Sequence, residues 1–255
     1  MKTAARLLVE CLSSQGVDKL SCVAGESYLS VLDALLDFPE IKVVTCRQEG
    51  GAAFMAESWG KTEGRPGICF VTRGPGACNA SIGVHTAMQD SSPMILFMGQ
   101  VGRGELGREA FQEISVPEVF GGLAKWATEI YDPARIPEII GKAFKIAMSG
   151  RPGPVVIGLP EDMLRDPVNQ EPCEIVHRVA PEASGQELAA LKDMLQSSQR
   201  PLAIVGGAGW SDVTCAAFEQ FASACHLPVI CSFRRQDIFN HNDGNYVGEL
   251  GTGPN

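Results

Sequence analysis

Short, almost uninterrupted apolar runs recur along this chain, separated by helix-like sequence. They are Ile41-Lys42-Val43-Val44, Gly67-Ile68-Cys69-Phe70-Val71, Met94 to Met98, and Val155-Val156-Ile157-Gly158-Leu159-Pro160. A half-exposed strand alternates polar and apolar residues, whereas a continuous apolar strand must be covered on both faces. The alternation with helices therefore predicts an α/β fold, a doubly wound parallel sheet flanked by helices. In such sheets small-molecule sites form where strand carboxyl ends hand over to helices. The run at 41–44 leads into Arg47-Gln48-Glu49-Gly50-Gly51-Ala52-Ala53 and a small-residue helix reaching Gly64. The run at 67–71 leads into Thr72-Arg73-Gly74-Pro75-Gly76-Ala77-Cys78-Asn79. One strand end thus offers a carboxylate and the next a glycine-rich loop.

The rest of the chain extends this pattern. Helices are expected over 3–15, from 27 through Leu36, over 79–88 and over 133–148, with a first strand from Lys19 to Ala24. Residues 101–125 read as a long loop followed by a short helix, and loops of that length in compact domains commonly carry function. From Arg165 to Ser184 the composition shifts to Pro, Glu, Asn and Gln, as in an inter-domain linker. A second α/β unit is expected from 185 to 255: helix 186–197, strand 201–205, a Gly206-Gly207-Ala208-Gly209 turn, helix 212–225 and strand 227–231. That is too little for a doubly wound sheet, so this domain reads as incomplete.

Composition narrows the partners. The net charge of −9 disfavours nucleic acid and anionic membrane surfaces, because neither phosphate nor lipid headgroups meet a basic face. The nine cysteines are scattered, with no Cys-x-x-Cys pair, so no metal or disulfide framework is legible. That usage suits a reducing, cytoplasmic setting. The first residues lead straight into an amphipathic helix with no signal-peptide pattern, and no run is long enough to span a bilayer.

Several of these segments resemble one family. Arg47-Gln48-Glu49-Gly50-Gly51-Ala52-Ala53 is similar to the Arg-His-Glu-x-x-Ala-Ala motif of thiamine-diphosphate enzymes of the acetolactate synthase large-subunit type. Residues 71–79 resemble that family's Thr-Ser-Gly-Pro-Gly-Ala-Thr-Asn loop. Asp90-Ser91-Ser92-Pro93, Gly99-Gln100-Val101, Ala110-Phe111-Gln112-Glu113 and Arg151-Pro152-Gly153-Pro154-Val155 follow in family order. The resemblance implies a pyrimidine-binding domain over 1–165, a linker over 166–184 and part of a central domain over 185–255. The activity implied is decarboxylation of a 2-ketoacid followed by carboligation. The implied assembly is a homodimer or tetramer, built on the small-residue helices after Glu49 and Asn79.

The resemblance makes Glu49 the catalytic acid that engages the pyrimidine ring nitrogen of thiamine diphosphate. Such an acid needs burial to outweigh the helix N-terminus, and Ala53, Phe54 and Met55 are the candidate apolar neighbours. The plain alternative for Glu49 is an acidic residue favoured by the helix dipole. Gly25, Thr72, Gly74, Pro75, Gly76 and Asn79 are implied cofactor contacts. Asn79 could equally be a helix N-cap, and the glycines a tight turn. Glu26, Arg73, Gln100, Phe111 and Gln112 are implied to face the substrate. Glu26 and Arg73 depart from the family pattern; an extra carboxylate there opposes an anionic ketoacid unless Arg73 neutralises it. For Gln100 and Gln112 the alternative is a loop-stapling amide. No metal ligand is assigned here: the family's diphosphate and Mg²⁺ site is in a C-terminal domain with no counterpart in this sequence. The glycine turn at 206–209 leaves FAD open. The rival readings are another superfamily member, a 2-ketoacid decarboxylase or lyase, and a non-catalytic nucleotide-binding or regulatory module that keeps the fold.

Overall fold

The computed structural model describes residues 1–179 and 181–252. Ala180 of the expected linker, and Gly253, Pro254 and Asn255 of the expected second domain, lie outside the described residues. The chain divides into two compact units, 1–178 and 179–255. The first contains β1 (Lys2–Thr3), α1 (Ala4–Ser14), β2 (Lys19–Cys22), α2 (Leu29–Ala34), β3 (Lys42–Thr45), α3 (Glu49–Glu63), β4 (Gly67–Thr72) and α4 (Arg73–Asp90). It continues through β5 (Met94–Gln100), α5 (Val116–Phe120), β6 (Trp126–Glu129), α6 (Ile136–Met148), β7 (Pro154–Pro160) and β8 (Pro167–Val168). The second contains α7 (Gly185–Ser197), β9 (Ala203–Val205), α8 (Asp212–Cys225), β10 (Val229–Cys231) and β11 (Tyr246–Glu249).

Six strands of the first unit form one wholly parallel sheet in the order β3-β2-β4-β5-β7-β6. The apolar runs supply two cores, because successive side chains point to opposite faces. Ile68, Phe70, Ile95, Phe97, Val155 and Ile157 belong to the core that includes α1 and α6. Cys69, Val71, Met94, Leu96, Met98 and Val156 belong to the one that includes α3 and α4. Phe70 and Phe97 are register partners and stack with centroids 4.6 Å apart. The sheet is doubly wound, as the sequence predicts.

α3 and α4 lie side by side on one face. Ala52, Ala53, Ala56, Ala77, Ala80 and Gly83 are all buried within the chain. These small residues serve a close crossing inside the unit. Exposed positions on the same helices include Gly51, Phe54, Pro75, Cys78, Asn79 and Ile82. The far ends of the pair are tied down. Lys61 Nζ donates to Asp90 Oδ2 at 2.8 Å, and Ser92 Oγ donates to buried Glu57 Oε1 at 2.6 Å. Arg151 donates to the carbonyls of Met88 and Gln89 and to Ser91 Oγ, closing the end of α4.

One expectation is corrected, and two features are added. α4 begins at Arg73 rather than Asn79, so Gly74-Pro75-Gly76 is the first helical turn, where proline's missing N–H costs no hydrogen bond. Trp126–Glu129 is an edge strand; its half-exposed Trp-Ala-Thr-Glu sequence has no apolar run to reveal it. The expected linker is partly bound to the first unit. β8 pairs antiparallel with β1, Ser14 Oγ donates to the Cys173 carbonyl at 2.8 Å, and the Gln15 side chain bonds the backbone of Glu174 and Val176.

The second unit is a three-stranded parallel sheet, β11-β10-β9, over a small core of Val205, Ala222, Leu227, Val229, Cys231, Ile238 and Phe239. β11 was not legible in the sequence. No helix among the described residues is long and apolar enough to cross a membrane.

Candidate active site

Strand order reverses between β2 and β4, since the chain leaves β2 for β3 on one side and returns to β4 on the other. Open parallel sheets bind ligands in the crevice at the carboxyl ends of such a pair. Gly25, Glu26 and Ser27 follow β2; Thr72 ends β4 and Arg73 opens α4.

The turn after β2 is rigid. A Cβ on Gly25 would stand 2.5 Å from Thr72 Cβ, so only glycine fits. The Ser27 and Thr72 hydroxyls share a hydrogen bond of 2.7 Å. Tyr28 is fully buried, donates its hydroxyl to the Val23 carbonyl and packs on Phe70 at 5.6 Å. Burial pushes its phenol well above the ordinary tyrosine pKa, so it remains a donor. This frame presents Glu26 outward, its side chain 74% exposed.

Arg73 meets it from the other strand end. Its φ of +27° is left-handed, a strained conformation for a non-glycine residue and one that surrounding structure must hold. The residue is only 9% exposed. Nη1 donates to Glu26 Oε1 and Nη2 to Glu161 Oε2, both at 2.9 Å, while the buried Nε has no partner. Glu161 follows the β7 run, so the guanidinium ties together three strand ends.

Glu49 is the first residue of α3, behind Gln48, whose side chain accepts from the Gly51 amide at 2.8 Å. The Glu49 carboxylate is half-buried. Its Oε2 accepts from Asn79 Nδ2 at 3.0 Å. Its Oε1 is 3.7 Å from where a Cβ of Gly76 would stand. Asn79 is therefore no N-cap: it lies in the second turn of α4 and reaches across to α3. The apolar enclosure expected for Glu49 is incomplete within this chain. Phe54 is 38% exposed, Met55 packs against Cys46, and Ala53 is used in the helix crossing.

The loop before α5 docks on the start of α4. The Gly74 amide donates to the Gln112 carbonyl at 2.9 Å, and a Cβ at 74 would lie 2.8 Å from that oxygen. Gln112 has φ +65°. Glu113 accepts from the amides of Gly107 and Ala110, which hold its carboxyl below the usual carboxylate range. Phe111 is left 74% exposed. Arg73, Phe111 and Glu161, with Val101, Glu105 and Arg108, border a cavity of about 530 Å³. A second cavity of about 600 Å³ opens beside Glu26, Leu29, Leu32, Leu36, Glu161 and Arg165.

Gln100 does not join this group. It is fully buried, its Nε2 donates to the Ile114 carbonyl at 2.6 Å, and its Oε1 accepts from the Val101 amide at 3.0 Å. Its amide staples the loop, the alternative reading of this residue. Nearby, Glu129 accepts from the Val116 amide and the Tyr131 hydroxyl. The Tyr131 phenol is pushed up to about 12, chiefly by burial. The remaining expected residues fall into three contacts: Gly25–Glu26–Thr72–Arg73, Glu49–Gly76–Asn79, and Gly74–Gln112, with Pro75 exposed on the first turn of α4. Glu161 and Ser27 escaped the sequence reading. Glu161 stands directly after an apolar strand run, the same signal that singled out Glu49.

Known proteins align with this arrangement. Residues 2–119 match the family described as "Thiamine pyrophosphate enzyme, N-terminal TPP binding domain", and residues 188–255 match "Thiamine pyrophosphate enzyme, central domain". An acetolactate synthase large subunit of Parasynechococcus marenigrum is 34% identical over 98% of this chain and 42% of its own length. Acetolactate synthase isozyme 3 large subunit of Escherichia coli is 33% identical over 98% of this chain and 45% of its own. Acetolactate synthase 3, chloroplastic, of Brassica napus is 35% identical over 98% and 39%. The chain thus spans less than half the length of these relatives. With two successive domains of one enzyme family matched in order, the chain belongs to the thiamine pyrophosphate enzymes, of which it comprises the N-terminal domain and central-domain sequence.

Proposed function

We propose that this chain supplies the pyrimidine side of a thiamine-diphosphate site in an enzyme of acetolactate synthase type, acting on 2-ketoacids by decarboxylation and carboligation. The observation that carries the reading is the Glu49–Asn79 hydrogen bond beside Gly76, at the carboxyl end of the sheet. When bound, the cofactor supplies the electron sink that lets a ketoacid lose carbon dioxide. Glu49 holds a proton at the pyrimidine ring nitrogen, and Asn79 fixes the carboxyl's orientation by bonding one oxygen and leaving the other free. Gly76, lacking a Cβ, lets a flat ring approach that oxygen. The Thr72–Ser27 bond and the Gly74–Gln112 bond keep the two strand ends and the Phe111 loop in place.

The diphosphate and Mg²⁺ are assigned to a further domain, consistent with relatives more than twice as long. The open side of Glu49, and the exposed Phe54 and Ile82 on the same helices, suit coverage by a second copy in a homodimer; sedimentation of the full-length protein at micromolar concentration would detect a monomer that refutes it. A cytoplasmic setting accords with nine unpaired cysteines.

The test is Glu49→Gln in the full-length protein, read as proton–deuterium exchange at the thiazolium carbon. Loss of a placed acid–base group slows such a step by about 10²–10⁴-fold. Exchange at the unsubstituted rate would remove Glu49 from the chemistry and favour the non-catalytic module, a rival that gains support from the half-exposed carboxylate.

A further inference from the structure

We propose that Arg73 is the receptor for the substrate's carboxylate and that Glu26 is a built-in, displaceable stand-in for it. The identification of that carboxylate as a 2-ketoacid's rests on the function proposed above; the receptor geometry does not. Three observations carry the inference.

The first is the asymmetry of the two ion pairs. Glu161 holds Nη2 from a side chain 29% exposed, whereas Glu26 holds Nη1 from one that is 74% exposed. An exposed pair is worth little, because the carboxylate keeps its water and loses side-chain freedom on pairing. An incoming carboxylate can therefore take the Nη1 position from Glu26 while the Glu161 anchor stays. The second is the orphaned Nε. A guanidinium offers five N–H donors in a planar fork, and a carboxylate is among its strongest acceptors. Here a buried arginine uses its two terminal nitrogens on separate carboxylates and leaves Nε–H without a partner. A buried donor without an acceptor is an exception that native interiors rarely keep without a reason. The third is position. Arg73 sits at the switch point between β2 and β4, in strained left-handed backbone, and borders the 530 Å³ cavity together with Arg108 and exposed Phe111. Arg108 offsets the second negative charge that a bound anion would bring beside Glu161 and Glu105.

Glu26 then acts as a selectivity element. A neutral ketone cannot displace it, and a carboxylate can. This reconciles an acidic residue in the crevice with an anionic substrate: the carboxylate occupies the receptor until the substrate exchanges with it.

The experiment uses the 255-residue chain and does not require catalysis. The Arg73 Nε–H resonance is identified by its loss in Arg73→Lys, and pyruvate is titrated against methyl pyruvate, its uncharged ester. Pyruvate should shift the resonance saturably and the ester should not. Glu26→Gln, at an exposed position that leaves folding intact, should tighten pyruvate binding roughly three- to tenfold, as expected for removing a weak competing ion pair. Equal response to acid and ester, or unchanged affinity in Glu26→Gln, would overturn the proposal. A positive result here alongside unaltered thiazolium exchange in Glu49→Gln would leave the receptor standing and reject the thiamine chemistry; the reverse pair of results would do the opposite.

Discussion

Gly83→Ala should separate α3 from α4 at the point that positions the Glu49 carboxylate. Gly83 is one turn beyond Asn79 on α4, and Ala53 is one turn beyond Glu49 on α3. A Cβ at 83 would stand 2.4 Å from Ala53 Cβ, 2.9 Å from the Ala53 carbonyl carbon and 3.1 Å from the Phe54 nitrogen. Non-bonded carbons settle at about 3.5–4.0 Å, so relief requires a shift of roughly 1 Å or more. Two of the three obstacles are main chain, and the Ser92–Glu57 and Lys61–Asp90 bonds resist a pivot at the far end. Overpacking costs about 1–3 kcal/mol, and main-chain obstruction puts this site near the top of that range. Exchanging glycine for alanine in a helix offsets about 1 kcal/mol. The net loss is then about 2 kcal/mol. With a urea slope near 2 kcal/mol/M, the unfolding midpoint should fall by about 1 M. Trp59 and Trp126 report the first unit by fluorescence once Trp210 of the second is replaced by Phe. The double variant Gly83→Ala with Ala53→Gly removes the closest of the three contacts and leaves the two main-chain ones, and the propensity gained at 83 cancels that lost at 53, so it should recover part of the loss. The reasoning fails if Gly83→Ala is as stable as the unsubstituted chain, or if the double variant is no better than the single one.

Three further outcomes are expected. Ser92→Ala removes the donor to the buried Glu57 carboxylate and should cost about 1–3 kcal/mol; an unmoved urea midpoint would show that Glu57 is satisfied elsewhere. Glu113 has its carboxyl held below the usual range in the folded chain, so its contribution is complete above the unfolded value of about 4.3 and is lost as pH falls through the lower folded value. Exchange protection of the Gly107 and Ala110 amides should therefore hold at neutral pH and fall on acidification, and the same protection at neutral pH in Glu113→Gln would contradict the bonds to the Glu113 carboxylate. Calorimetric titration of the 255-residue chain with thiamine diphosphate and Mg²⁺ should show only weak binding, because a pyrimidine pocket offers one or two hydrogen bonds of about 0.5–1.5 kcal/mol each; Mg²⁺-dependent micromolar binding would mean that a diphosphate site is present here.

Much of the first unit was legible because its information is local. Continuous apolar runs marked β4, β5 and β7, which are covered on both sides, whereas the run at 41–44 became the largely exposed edge strand β3. The half-exposed edge strand β6 lacked that signal, as did β8, whose residues look like linker until β1 is found to pair with them. The sequence also singled out Glu49, Asn79, Glu26 and Arg73, each with two or more readings.

Choosing among those readings needed contacts between elements far apart in the chain. Asn79 could have been an N-cap; it became the partner of Glu49 because α4 starts at Arg73 and because Gly83 lets the two helices approach closely. Gln100 could have faced a ligand; the loop folding back through Ile114 turned its amide inward. Arg73 and Glu26 could have been no more than a surface ion pair. The winding of the sheet set their geometry, and Glu161, directly after the β7 run, completed the cluster from a third strand end. Periodicity determines which face of an element is buried, but hydrogen-bond partners are set by distances of a few ångströms between elements, and those distances exist only once the sheet is wound and the helices are packed.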